Sequence, residues 1–183
     1  MSASRIDETR QFIPLRIAVL TVSDTRTPED DRSGDTLVDR LEAAGHTLFS
    51  RGISPDDVSS IQAYVRRWAD DPDCDVIVTT GGTGFTGRDV TPEALEPMFD
   101  KHMEGFSIAF HQLSMTKIGT STVQSRALGG TIGSTFVFGL PGSPGACKDA
   151  WDGILSLQLD YRHLPCNFVE IMPRLDEHLK RGA

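Results

Sequence analysis

Short, dense apolar runs alternate along the chain with longer stretches in which apolar residues recur at helical spacing. Arg16–Asp24 (RIAVLTVSD) and Cys74–Thr80 (CDVIVTT) are almost unbroken apolar runs, the pattern of strands buried on both faces. His46–Ile53 reads as a third strand. Between the first two strands, Thr25–Gly34 is a polar, acidic loop. From Ser33 a helix follows, with Leu37, Val38, Leu41 and Ala44 on its apolar face and Gly45 ending it. Ser54 as N-cap and Pro55 at the first helical position predict a second helix, whose buried stripe is Val58, Ile61, Val65 and Trp68. Thr91 and Pro92 open a short helix, and Met103, Phe106, Phe110 and Leu113 mark a further one. Gln124–Gly145 divides into two strands joined near Gly133–Ser134. So short a connection makes the pair antiparallel, because a parallel crossover takes about a dozen residues or more. Ser143 and Pro144 start the last clear helix, carrying Cys147, Ala150, Trp151, Ile154 and Leu155, and from Tyr161 the pattern is mixed.

Strands alternating with helices predict an α/β fold with a mostly parallel sheet and helices on both faces. There is no internal repeat and no linker rich in Pro, Gly or Ser. The 183 residues therefore read as an N-terminal arm, 1–14, flexible but docking through Phe12 and Ile13, then one domain, 15–170, and a C-terminal tail, 171–183. The formal net charge of -8 speaks against nucleic acid or an anionic membrane as partner. Any phosphorylated ligand then needs local backbone N–H groups, a few cations or a metal. Three distant cysteines, Cys74, Cys147 and Cys166, speak against a disulfide framework or a zinc site and suit a reducing compartment. With no long apolar run and no signal-like start, a cytoplasmic location is expected.

In an open α/β sheet, ligands bind beyond the carboxyl ends of the strands. Four loops fall there: Ser23–Gly34, Gly52–Asp57, Gly81–Thr91 and Pro141–Gly145. The strongest signal is TTGGTGFTGRD, with Gly81, Gly82, Gly84 and Gly87 in seven residues. Such a loop lets the backbone approach an anion or simply makes a tight turn. Asp89 just beyond it is either a capping residue or a carboxylate that shares Mg²⁺ with a phosphate. Asp56 and Asp57 read by themselves as helix-dipole partners. LPGSPG (Leu140–Gly145) reads as a Pro/Gly turn whose amides around Gly142 and Ser143 can face an anion. Arg126, beside Ser125 on the predicted strand, is either a bidentate anion ligand or a surface ion-pair partner. None of the five histidines, His46, His102, His111, His163 and His178, forms HxH or HExxH. No GxSxG elbow is present, so Ser, Cys and histidine-metal hydrolysis have no support.

Taken together and in this order, RIAVLTVSDTR, DRSGDTLVDRLEAAGH, TTGGTGFTGRDVTPEAL, EGFSIAFHQLS, IGTSTVQSRALGG and LPGSPGACKDAW resemble the MoaB/MogA family of molybdenum cofactor biosynthesis proteins, over roughly residues 12–168. IGTST, SRA and Cys166–Phe168 resemble its MoaB branch. The resemblance implies a three-layer α/β/α fold, the molybdopterin-binding domain fold, with a mixed, mostly parallel sheet and one antiparallel strand. It implies Mg²⁺ as cofactor, ATP and molybdopterin as substrates, and adenylyl transfer with release of pyrophosphate. It further implies a homotrimer or hexamer working with other proteins of molybdenum cofactor biosynthesis. By the same resemblance Asp89 and Asp56 are the catalytic and Mg²⁺-holding residues. Gly81, Gly82, Gly84, Ser125, Pro141, Gly142, Ser143, Ser23 and Asp24 match substrate-binding positions. Some MoaB-branch chains lack the Arg-Asp pair that stands here as Arg88–Asp89, so the alternative to an enzyme is a catalytically silent pterin-binding or scaffold protein of the same pathway.

Overall fold

The computed structural model describes residues 5–177; His178, the first four residues of the 1–14 arm and the last six of the 171–183 tail lie outside it. The elements in chain order are β1 (Arg5–Ile6), β2 (Arg16–Val22), α1 (Arg32–Ala43), β3 (Thr47–Ser54), α2 (Val58–Ala69), β4 (Val76–Thr80), α3 (Thr91–Leu95), β5 (Lys101–His102), α4 (Glu104–Ile118), β6 (Leu128–Ile132), β7 (Thr135–Leu140), α5 (Pro144–Ala150), α6 (Ser156–Gln158), β8 (His163–Leu164) and α7 (Phe168–Ile171).

Six strands form one sheet in the order β3-β2-β4-β7-β6-β5. β3, β2, β4 and β7 are parallel, and β6 runs against β7 on one side and β5 on the other. The expected mixed sheet with one reversed strand is therefore observed, and that strand is β6. The dense apolar runs are explained by burial on both faces. In β2, Ile17 and Val19 point into one core and Ala18, Leu20 and Val22 into the other. Leu37 and Leu41 of α1, Phe106 and Phe110 of α4, and Cys147 and Ala150 of α5 cover the first face. Ile61, Val65 and Trp68 of α2 and Ala94 and Leu95 of α3 cover the second, which completes three layers. Each large apolar side chain among these, fully buried, contributes about 1.5–3 kcal/mol.

Three local expectations are corrected. Ser54 does not cap α2: it is the last residue of β3, fully buried, and its carbonyl accepts the Ser23 N–H at 2.8 Å. The cap is Asp57, whose carboxylate accepts the Ser60 N–H at 2.8 Å. Ser125 and Arg126 precede β6 rather than lie on it. The arm is not free along its length: β1 pairs antiparallel with β8, while Phe12 sits 5.2 Å from the His46 ring with Arg162 stacked over it, and Ile13 stays exposed.

The most costly polar burial is Asp31, which has no solvent exposure. It caps α1 by accepting the Gly34 N–H at 3.0 Å, and it takes the Thr21 hydroxyl at 2.8 Å and Arg51 at 2.7 Å. Burial works to raise its pKa, but Arg51, Gly34 and Thr21 outweigh it and hold the carboxyl below its usual range. Removing it leaves Arg51 without this partner, so Asp31→Ala is expected to lower unfolding free energy by about 3 kcal/mol, read by urea denaturation.

His46 is nearly as buried, and its Nδ1 accepts the Leu15 N–H at 3.2 Å. Burial drives its pKa from 6.5 down to about 4, against the pull of Asp160. Below pH 6.5 the unfolded chain takes up a proton that the native chain refuses, so stability falls as pH drops from about 6.5 towards 4. Between pH 7 and pH 5 this group alone accounts for about 2 kcal/mol. Urea unfolding at the two pH values is expected to show a loss smaller by that amount in His46→Gln.

Candidate functional site

The four parallel strands end on one side of the sheet, and the loops that follow them meet there around a polar cavity of about 440 Å³. The junction at the end of β4 sets its shape. Gly81 has φ +104, and a Cβ there would stand 2.2 Å from the Val22 carbonyl oxygen at the end of β2. Gly82 has φ +62, and its Cβ would meet the Thr91 hydroxyl at 2.5 Å. Only glycine permits both the conformation and the approach. Thr91 secures the turn, donating its hydroxyl to the Gly81 carbonyl at 2.8 Å and its N–H to that of Gly82 at 2.9 Å.

Of the residues singled out from the sequence, Asp56, Asp89, Gly81, Gly82, Gly84, Ser125, Pro141, Gly142 and Ser23 line this cavity together. Two do not. Ser143 is occupied as the α5 N-cap, accepting the Ala146 N–H at 3.1 Å. Asp24 stands behind Asp56: the Asp24 N–H donates to the Asp56 carboxylate and the Asp56 N–H to the Asp24 carboxylate, each at 3.0 Å. Arg88 reaches across to Asp24, its Nε at 2.8 Å. Ser23 organises its own loop, its Oγ accepting the Thr25 and Arg26 amides at 3.3 and 3.2 Å.

The two cavity carboxylates differ in state. Burial raises the Asp56 pKa, with Asp24 and Asp89 adding like charge and Arg88 opposing. Burial also works against ionised Asp89, but the Thr86 hydroxyl at 2.6 Å and amide at 2.8 Å, aided by Gly84 and Arg126, hold it below the usual carboxylate range. Asp89 is therefore fixed as an anion, while Asp56 lies where added positive charge is favourable. Among the described residues no group of three or more His, Cys, Asp or Glu side chains is placed to hold a metal. Asp56 and Asp89 are nonetheless hard oxygen donors lining one cavity, the donor type Mg²⁺ takes while completing its shell with water and phosphate oxygens.

The Ser125 Oγ is buried and has no hydrogen-bond partner among the described residues, so it has unused capacity beside the cavity. Ser125 also lines a neighbouring groove of about 460 Å³ that includes Phe99, Met103, Ile108, His111 and Leu128. Sequence reasoning missed Arg26, Thr83 and Gln124, which line the polar cavity too. Arg26 had a signal, a cation in an acidic loop at a strand end. The cysteines are unpaired, and burial pushes Cys74 up to about 12 and Cys147 up to about 11, so neither is poised as a nucleophile.

Comparison with known proteins identifies the family. Residues 18–161 match the probable molybdopterin binding domain family. The chain is 48% identical over 158 residues to molybdenum cofactor biosynthesis protein B of Escherichia coli K12, spanning 86% of this chain and 93% of that one. A crystal structure of a molybdenum cofactor biosynthesis protein B superposes with a TM-score of 0.78 at 38% identity, over 94% of this chain and 99% of that one. The molybdopterin biosynthesis enzyme MoaB of Thermus thermophilus follows at 0.72 and 26% identity, over 89% and 97%. With the fold and the sequence in agreement along most of its length, the chain belongs to the molybdopterin-binding domain family, among the molybdenum cofactor biosynthesis B proteins.

Proposed function

We propose that this protein adenylylates molybdopterin. The terminal phosphate of the pterin attacks the α-phosphate of ATP, a new phosphorus–oxygen bond forms, and pyrophosphate leaves. The observation that carries this reading is the pair Asp56 and Asp89 lining one polar cavity with the glycine-rich Gly81–Gly84 junction. Bound Mg²⁺ supplies charge neutralisation on the phosphates. Asp89, and Asp56 across the cavity, are the residues that hold it. Such a transfer needs positioning and charge compensation rather than a protein nucleophile, and the cavity is lined by a glycine-rich backbone, two carboxylates and Arg26 with no activated thiol. The free Oγ of Ser125 is a ready partner for a polar group of the pterin.

The homo-oligomer, trimer or hexamer, belongs to the same proposal. It is supported by Ile108, Met115 and Ile118 of α4, with Val123 beyond it, all exposed. Contacts with other proteins of molybdenum cofactor biosynthesis and a cytoplasmic location follow from the same reading. Three free thiols suit the second, and no helix among the described residues is long and apolar enough to cross a membrane.

Purified protein incubated with molybdopterin, ATP and Mg²⁺ is expected to form adenylylated pterin and pyrophosphate. Asp89→Ala is expected to lower kcat by about 10³-fold, as loss of a charge-stabilising group does. Product formation is read by chromatography. Wild-type protein that binds molybdopterin yet forms no product would replace this reading with the catalytically silent binder.

A further inference from the structure

Arg126 has a part that neither its sequence position nor an anion-binding role describes. Its N–H donates to the Thr83 carbonyl at 2.9 Å, which ties the start of the β6 approach to the glycine-rich segment. Its guanidinium then straddles that segment. Nε donates to the Gly84 carbonyl at 2.9 Å and Nη2 to the Asp89 carbonyl at 3.0 Å. Nη1 pairs with Glu93, and the Phe85 ring covers the guanidinium with its centroid 5.3 Å from Cζ. Phe85 is itself 70% exposed, a large apolar side chain held at the surface over this cation.

Between Gly84 and Asp89 there is no helix or strand to hold the backbone. Inside the segment, Asp89 binds Thr86 by its carboxylate, and the Asp89 N–H returns to the Thr86 carbonyl at 3.1 Å. Arg88 ties the segment to Asp24 on one side, and on the other side its side-chain attachment to the neighbouring Ser125–Arg126 wall runs, among the described residues, through one guanidinium. We propose that Arg126 is a positioning residue for catalysis: by bridging the carbonyls of Gly84 and Asp89 it fixes the Asp89 carboxylate relative to Ser125 and the facing Asp56. A planar five-donor fork satisfies two carbonyls, one carboxylate and a ring face at once. A lysine, with a point charge, cannot hold that set.

The kinetic arm of the test rests on the adenylyl-transfer reading; the structural arm does not. Arg126→Lys, Phe85→Ala and Glu93→Gln are made in the full chain and compared with wild type. Arg126→Lys is expected to lower kcat for adenylyl transfer by about 10²-fold with KM for ATP and molybdopterin within about 3-fold, because misplacement of a fixed group costs turnover rather than uniform binding. Glu93→Gln, which removes only the surface ion pair, is expected to stay within about 3-fold of wild type in both. In ligand-free protein, hydrogen exchange at the Thr86 and Asp89 amides is expected to be about 10-fold faster in Arg126→Lys, with the Val76–Thr80 amides unchanged. Should Arg126→Lys fail to fold, Phe85→Ala, which uncovers the guanidinium and leaves its hydrogen bonds, carries the exchange reading, expected about 3-fold faster at the same amides. Unchanged exchange at Thr86 and Asp89, or an equal loss of kcat in Glu93→Gln, overturns the proposal. If wild type forms no adenylylated pterin, the adenylyl-transfer reading has failed, and amide exchange alone decides whether Arg126 fixes the loop.

Discussion

The close crossing of the β4 exit over the end of β2 is the constraint on which the site depends. Gly81 passes so near the Val22 carbonyl that a single methyl group would have to occupy the same space. That approach brings the loops after β2, β3, β4 and β7 around one cavity. The sheet beneath is rigid because the strands on either side of the crossing are buried on both faces. The helices α1, α4 and α5 on one side and α2 and α3 on the other bury them. Their part is to hold four strand ends in register, so that loops with little internal structure start from fixed points.

Charge is arranged on that frame with one asymmetry. The chain is acidic overall, and the cavity carries two carboxylates with a third behind Asp56. Asp89 is stabilised as an anion by its own loop through Thr86, whereas Asp56 is left under-compensated by burial and by its acidic neighbours. An arrangement of that kind disfavours a bare phosphate and favours a phosphate that arrives with a divalent cation. It also accounts for Arg88 at the rim, whose pairing with Asp24 limits the repulsion on Asp56.

Much of this was legible in the sequence, because the strongest signals were local. The apolar runs of β2 and β4, the helical stripes, the β6–β7 hairpin and the glycine cluster each depend on residues close in the chain. The ligand loops followed from the rule that α/β sheets bind at strand ends. What escaped had other causes. β1, β5 and β8 have two residues each, too few to show a period. The start of α2 was misplaced because Ser54-Pro55 mimics a helix entry, while the pairing of Ser54 with Val22 keeps it in the strand. Asp31 and Arg51 are partners across twenty residues, and Arg126 reaches back about forty to Gly84 and Asp89; such contacts leave no periodic trace. The sequence does not settle whether Asp56 or Asp57 faces the site. The fold makes the distinction physical, with Asp57 spent on the α2 cap and Asp56 turned to the cavity.

A diffraction experiment on crystals soaked with Mg²⁺ and a non-hydrolysable ATP analogue tests the assignment of the cavity most directly. The α-phosphate is expected against the Gly81–Gly84 junction, with the metal held by Asp89 and Asp56. Phosphates seated instead in the groove of Phe99 and Met103, or a metal bound away from both carboxylates, would contradict it.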